Sequence, residues 1–164
     1  MTKPDQPTIL CVDDEPNILS ALKRVLRKEG YTVLTATSGR EGLALLEEHA
    51  VQLVISDQRM PEMTGAEFLK EVKDRWPQTT RVILSGYAEA EAILDAVNNG
   101  AIFKFLVKPW QDQDLKQEIR TCLAHNEEKA ALYEQAAENR NNPEFPVVPP
   151  RIWSHKNPDK QEVM

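Results

Sequence analysis

Five short apolar runs alternate along this 164-residue chain with stretches whose apolar residues recur at helical spacing, and few folds can bury such a pattern. Thr8–Val12 (TILCV) is the first run. Pro16–Lys28 follows as a helix, with Ile18, Leu19, Leu22, Val25 and Leu26 on one face, Pro16 in its first turn and Gly30 just past its end. Thr32–Ala36 is short and β-branched. Ser38 then caps a helix through Glu48, with Glu41 three residues on completing a capping box. Val51–Ser56 reads as a strand ending at Asp57, Thr64–Asp74 as a helix, and Arg81–Ser85 as the fourth strand. Glu89–Asn98 is expected to be helical and closed by Gly100, Ile102–Val107 to be the fifth strand, and a last helix to run from near Gln111 to at least Asn126.

Strands this short and apolar need cover on both faces, so the pattern predicts an α/β fold: a doubly wound five-stranded parallel sheet flanked by five helices. The flavodoxin-like order 2-1-3-4-5 fits five βα units in this length. The folded domain is placed at residues 7–126. Residues 127–140 are rich in Ala and Glu and are expected to extend the last helix. Residues 141–164 carry Asn-Asn-Pro, Pro146, Pro149-Pro150 and Pro158 without periodicity, as a Pro-rich linker or disordered tail does.

Charge and cysteine usage exclude some classes of function. With 26 acidic against 20 basic residues, the net charge of −6 argues against a nucleic-acid-binding surface covering the chain. No apolar run is long enough to cross a bilayer, and the N-terminus lacks the apolar core of a secretory signal. Cys11 and Cys122 lie in apolar patterns without metal or redox spacing and are expected to be buried, reduced thiols of a cytoplasmic protein.

In open α/β sheets, ligands bind at the carboxyl ends of the strands where the strand order reverses. Asp13 and Asp14 end the first strand, Asp57 the third, Ser85-Gly86 the fourth and Lys108-Pro109 the fifth. The proposed order therefore brings three carboxylates, a hydroxyl and an ammonium to one rim. Two carboxylates roughly 4 Å apart repel by ~4 kcal/mol at an effective dielectric near 20. Three of them call for raised pKa values or a bound cation. An all-oxygen donor set suits Mg²⁺, and a carboxylate can itself be the nucleophile that forms an aspartyl phosphate. Lys108 would then offset phosphoryl charge, and the Ser85 hydroxyl would donate to a phosphate oxygen.

Taken together, Asp13-Asp14, Asp57, Ser85-Gly86 and Lys108-Pro109 resemble the full signature of the response regulator receiver domain, the phosphate-accepting module of two-component signal transduction, from about Thr8 to Asn126. That resemblance implies a phosphoacceptor at Asp57. It implies Mg²⁺, with Mn²⁺ as a substitute, held by Asp14 and Asp57, by Asp13 largely through water, and by the main-chain carbonyl of Arg59. The amides of Arg59 and Gly86 would hold phosphoryl oxygens, Gly86 being suited by its lack of a side chain. Phe105 stands where the family has its switching aromatic, and the Lys108–Pro109 bond is one the family makes cis. Arg59 and Tyr87, two residues beyond Asp57 and Ser85, are both large and would lengthen the life of the phosphoryl group. The segment DQRMPEMTG is similar to a receiver subgroup joined to cyclic-dinucleotide phosphodiesterase or transcription-control modules.

The implied partner is a histidine kinase or a histidine phosphotransfer protein, and the implied role is a switch with no turnover of its own. The surface of the fourth helix, fifth strand and fifth helix would carry the signal to an output domain beyond this chain or to a partner, with self-association through the same surface. A thin seam of Leu123, Ala130, Tyr133 and Ala137 would support that association only weakly, Asn126 interrupting it. Two departures from the family pattern are Ser85 in place of the commoner Thr and Phe105 in place of the frequent Tyr. Other readings fit less well. A single-domain regulator acting by protein binding alone remains the alternative output. A phosphatase of haloacid-dehalogenase type would want an acid two residues after the nucleophile, where this chain has Arg59. A nucleotide or flavin binder would want a Gly-rich loop where this chain has DDEPN.

Overall fold

A computed structural model of the chain describes residues 6–86, 89 and 91–140. Within them the strands are β1 (Thr8–Val12), β2 (Thr32–Ala36), β3 (Leu53–Ser56), β4 (Thr80–Ser85) and β5 (Lys104–Val107). The helices are α1 (Pro16–Lys28), α2 (Gly39–Glu48), α3 (Gly65–Arg75), α4 (Leu94–Asn98, preceded by a 3₁₀ turn at Glu91–Ile93) and α5 (Asp112–Arg140). All strand pairs are parallel, in the order β2-β1-β3-β4-β5 expected from the sequence. The expectations for Tyr87 and for 141–164 lie outside the described residues.

Alternate residues of each central strand enter two different cores, as the period of a strand requires. Leu10 and Val12, Val54 and Ile83 face Leu46 of α2, Phe68, Leu69 and Val72 of α3, and Ala96 of α4. Ile9 and Cys11, Leu53 and Ile55, Val82 and Leu84 face Leu19, Leu22, Val25 and Leu26 of α1, together with Leu115, Ile119, Cys122 and Leu123 of α5. The buried side chains of α1 sit at the helical spacing read from the sequence, each worth about 1.5–3 kcal/mol of transfer from water. The chain divides into two compact units, Met1–Asn126 and Glu127–Met164.

Helix starts are fixed by short-range hydrogen bonds. Ser38 Oγ accepts from Glu41 N (3.1 Å), but the Glu41 carboxylate reaches Thr37 N (2.7 Å) rather than closing on Ser38. The complete reciprocal capping box is at Thr64 and Glu67. Three elements are shorter than expected. Val51 and Gln52 precede β3, where Gln52 N donates to Thr8 O. Ile102 and Phe103 precede β5: the amides of Ala101 and Ile102 turn back to Ala96 O and close α4, with Gly100 at φ +84 making the turn, and pairing with β4 opens where Phe103 N donates to Arg81 O (2.7 Å). The fourth helix begins at Leu94 instead of Glu89, whose amide is held in a turn by Gly86 O.

Asn126 is buried, its Nδ2 donating to Gln78 O (2.8 Å) and Thr80 Oγ1 (3.2 Å). Leu123 belongs to the α1–α5 core. Both therefore face the domain, and Leu123 drops out of the seam suggested by spacing. Cys11 and Cys122 are buried free thiols, pushed up by desolvation to about 12 and about 11.

Candidate functional site

Parallel register decides which strand ends meet. Val12 pairs with Ser56, Ser56 with Ile83, and Ser85 with Val107. The residues that follow Val12, Ser56 and Val107 are Asp13, Asp57 and Lys108, and main-chain bonds seat them: Asp57 N donates to Val12 O (2.9 Å), and Lys108 N to Ser85 O (2.8 Å). The peptide bond from Lys108 to Pro109 is cis.

Carboxylate oxygens of Asp13, Asp14 and Asp57 all lie within 4.8 Å of one another. Asp13 and Asp57 are buried, and Asp14 is exposed. Ser85 Oγ donates to Asp57 Oδ1 (2.9 Å), and Lys108 Nζ stands 3.4 Å from the same oxygen. Lys108 Nζ also donates to Asp13 Oδ2 (2.9 Å), while Asp13 Oδ1 accepts from Glu15 N (2.9 Å). Asp13 thus also steadies the start of α1, a role any turn aspartate could fill.

Burial pushes the Asp13 carboxyl above the ordinary carboxylate range; the bonds from Lys108 and Glu15 pull it back, and the Asp57 charge adds to the rise. Burial alone would lower Lys108, but its hydrogen bond and attraction to Asp13, then to Asp57, hold it above its usual value. In an isolated ion pair the acid would fall as the base rises. Here both rise, because the Asp13 side chain is 3% exposed against 19% for Lys108 and so loses more hydration. An all-oxygen cluster this close, with its acid disfavoured in the charged form, fits a hard divalent cation.

Gly86 is half-buried, and a Cβ added there would meet nothing within 4 Å among the described residues. Crowding by the described residues therefore does not account for glycine at this position. Phe105 is half-buried against the α2–α4 core and registers with Ile83. The Arg59 side chain turns to Glu89, with which it forms an ion pair. Three neighbours were not singled out from the sequence. Gly65 lies so close to Asp57 that an added Cβ would overlap the Asp57 carbonyl oxygen and come within 2.9 Å of Ile83 Cδ1. Gln58 is buried, its Oε1 accepting from Ala66 N (2.8 Å) and its carbonyl from Gly65 N (2.9 Å). Glu89 is the third. The capping pattern at Thr64 hinted at the turn before α3, but nothing local signalled contact with Asp57.

No helix among the described residues is long and apolar enough to cross a membrane. Residues 9–120 match the family described as response regulator receiver domain. The hydrogenase transcriptional regulatory protein HoxA of Cupriavidus necator is 44% identical over 118 residues, which are 72% of this chain and 24% of HoxA. The chain thus spans about a quarter of the length of that curated relative. Among solved structures, the signal receiver domain of an HD domain-containing protein from Pseudomonas fluorescens Pf-5 superposes with a TM-score of 0.74 at 35% identity, covering 80% of this chain and 96% of that one. The response regulator protein TrrA of Thermotoga maritima, in complex with Mg²⁺ and BeF, gives 0.65 at 32% identity, covering 71% and 98%. The sheet order, the carboxylate rim and these likenesses lead to one conclusion: the chain belongs to the response regulator receiver domain family of two-component systems.

Proposed function

We propose that Asp57 accepts a phosphoryl group from a phosphohistidine of a kinase or phosphotransfer protein, in a reaction that requires Mg²⁺ and accepts Mn²⁺. The observation that carries this is the convergence of two donors on one atom: Ser85 Oγ and Lys108 Nζ both address Asp57 Oδ1. Donors fixed before reaction are what a group acquiring negative charge needs, since they require no reorganisation as the charge develops. An oxygen of Asp57 forms the new O–P bond as the donor's P–N bond breaks, and the departing imidazole takes its proton from solvent. Ser85 then donates to a phosphoryl oxygen, and Lys108 exchanges part of its contact with Asp13 for the new charge. Asp13, Asp14, Asp57 and the Arg59 carbonyl would hold the metal, which when bound supplies positive charge against the phosphoryl oxygens. The amides of Arg59 and Gly86 would take the remaining oxygens.

Once Ser85 is drawn toward the phosphoryl group, Phe105 turns inward and the surface of α4, β5 and α5 changes. Phe103, just before β5, is 39% exposed and stacks on His125 of α5 with ring centroids 4.0 Å apart. The curated relative's length and its name as a transcriptional regulator support an output module controlled by this switch. Incubation with acetyl phosphate and Mg²⁺ tests the proposal. Intact mass should rise by one acid-stable, base-labile phosphoryl group in wild type and not in Asp57→Asn. Equal labelling of the two proteins overturns it.

A further inference from the structure

We propose that the Arg59–Glu89 ion pair straps the loop after β4 to the loop after β3, and that Glu89 is thereby a positioning residue for retention of the phosphoryl group on Asp57. The role rests on Asp57 being the phosphoacceptor. Among the described residues, two side-chain links join these loops. The inner one is the buried bond from Ser85 Oγ to Asp57 Oδ1. The outer one is the ion pair, which joins the residue two past Asp57 to the residue four past Ser85.

The outer link is anchored at its acidic end. Glu89 has a side chain only 16% exposed, and its amide is tied to Gly86 O (3.1 Å), so its carboxylate is held by the turn that carries Gly86. Arg59 is 77% exposed and crosses from the opposite loop to meet it. Among the described residues no other ion pair joins the β3–α3 loop to the segment after β4. The inner link cannot survive phosphorylation unchanged, because it uses a carboxylate oxygen of the group that reacts. While Ser85 moves from that oxygen to a phosphoryl oxygen, the strap is what keeps Gly86 and Glu89 beside the β3–α3 loop. An arginine fork and a carboxylate suit this task, being directional and strong for their size.

Charge alone predicts a different pattern from a strap. Removing the negative charge of Glu89 near a phosphoryl dianion would slow its loss, whereas removing the positive charge of Arg59 would hasten it. A strap gives both changes the same sign, and the double change no more than either single one. The test uses the full chain with acetyl phosphate and Mg²⁺, follows decay by intact mass after the donor is removed, and compares Arg59→Met, Glu89→Gln, Glu89→Asp and the double Arg59→Met/Glu89→Gln. Both charge-removing singles and the double should lose the group roughly two- to fivefold faster than wild type, the range an exposed-to-half-buried ion pair supports. Glu89→Asp should fall between them and wild type. Opposite signs, wild-type decay in either charge-removing single, or multiplying effects in the double would overturn the strap. Hydrogen exchange over 86–93 in unphosphorylated protein gives a second readout, faster in the same three variants if the strap exists and unchanged if it does not. A wild type that takes no label overturns the phosphoacceptor role and the retention role together, and the exchange arm still decides the strap.

Discussion

Replacing Asp57 by Asn should stabilise the metal-free protein, and the structure sets the size of the effect. At separations up to 4.8 Å and an effective dielectric near 20, the repulsions of Asp57 with Asp13 and Asp14 are worth about 3.5 kcal/mol each. Against them stands the attraction between Asp57 and Lys108 at 3.4 Å, about 5 kcal/mol on the same scale. The balance favours removing the charge by about 2 kcal/mol, and by about 1 kcal/mol once the exposure of Asp14 is allowed for. The amide oxygen still accepts from Ser85, so no buried hydroxyl is left without an acceptor. Melting in chelator at low salt should therefore rise by roughly 3–5 °C in Asp57→Asn. Mg²⁺ at tenfold excess over its dissociation constant should add about 1.4 kcal/mol to wild type, and less to the variant. A lower midpoint for Asp57→Asn in chelator would refute the reasoning, showing that Lys108 outweighs the crowding of acids.

Lys108→Ala removes the only cation placed on both Asp13 and Asp57 among the described residues, and should cost about 2–3 kcal/mol in urea titrations without metal; part of that loss should return with Mg²⁺, and an unchanged midpoint would argue against the pairing. Gly65→Ala drives a methyl into the Asp57 carbonyl and should cost about 1–3 kcal/mol, read as a lower urea midpoint, whereas a midpoint at or above wild type would show that the loop yields freely. Stability should fall as pH rises past about 9: Cys11 and Cys122 hold their protons to about 12 and about 11 when folded but near 9.0 when unfolded, so the native state binds more protons in that window. Lys108, raised above 10.5, keeps its full contribution below that pH and loses it above, in the same alkaline direction. Both thiols should accordingly resist alkylation near pH 9 until the chain unfolds, and rapid native modification would contradict their burial.

The sheet order was legible because both faces of every central strand must be apolar, and a run such as TILCV serves two cores at once. The rim was legible for a related reason: in a parallel sheet the residue after each strand lands on the same edge, so Asp13, Asp57 and Lys108 need only the strand ends to be right. Element ends were less legible. Ile102 looks like strand but spends its amide closing α4, and Glu89 looks like the start of a continuous helix but its amide is held in a turn by Gly86 O. Gly65 and Glu89 could not be found from local pattern. Gly65 reads as an ordinary first helical residue until the Asp57 carbonyl is seen against it. Arg59 and Glu89 are thirty residues apart in sequence, and each alone reads as a solvated charge. Gly86 shows the opposite case, a glycine around which the described residues leave room for a side chain.

The phosphoacceptor claim is tested most directly by locating the modification. After labelling with acetyl phosphate and Mg²⁺, borohydride reduction converts an aspartyl phosphate to homoserine, which peptide mass spectrometry assigns to a position. The account predicts homoserine at position 57, absent when Mg²⁺ is chelated. Homoserine at position 13 or 14 instead, or the same yield at 57 in chelator, would contradict it.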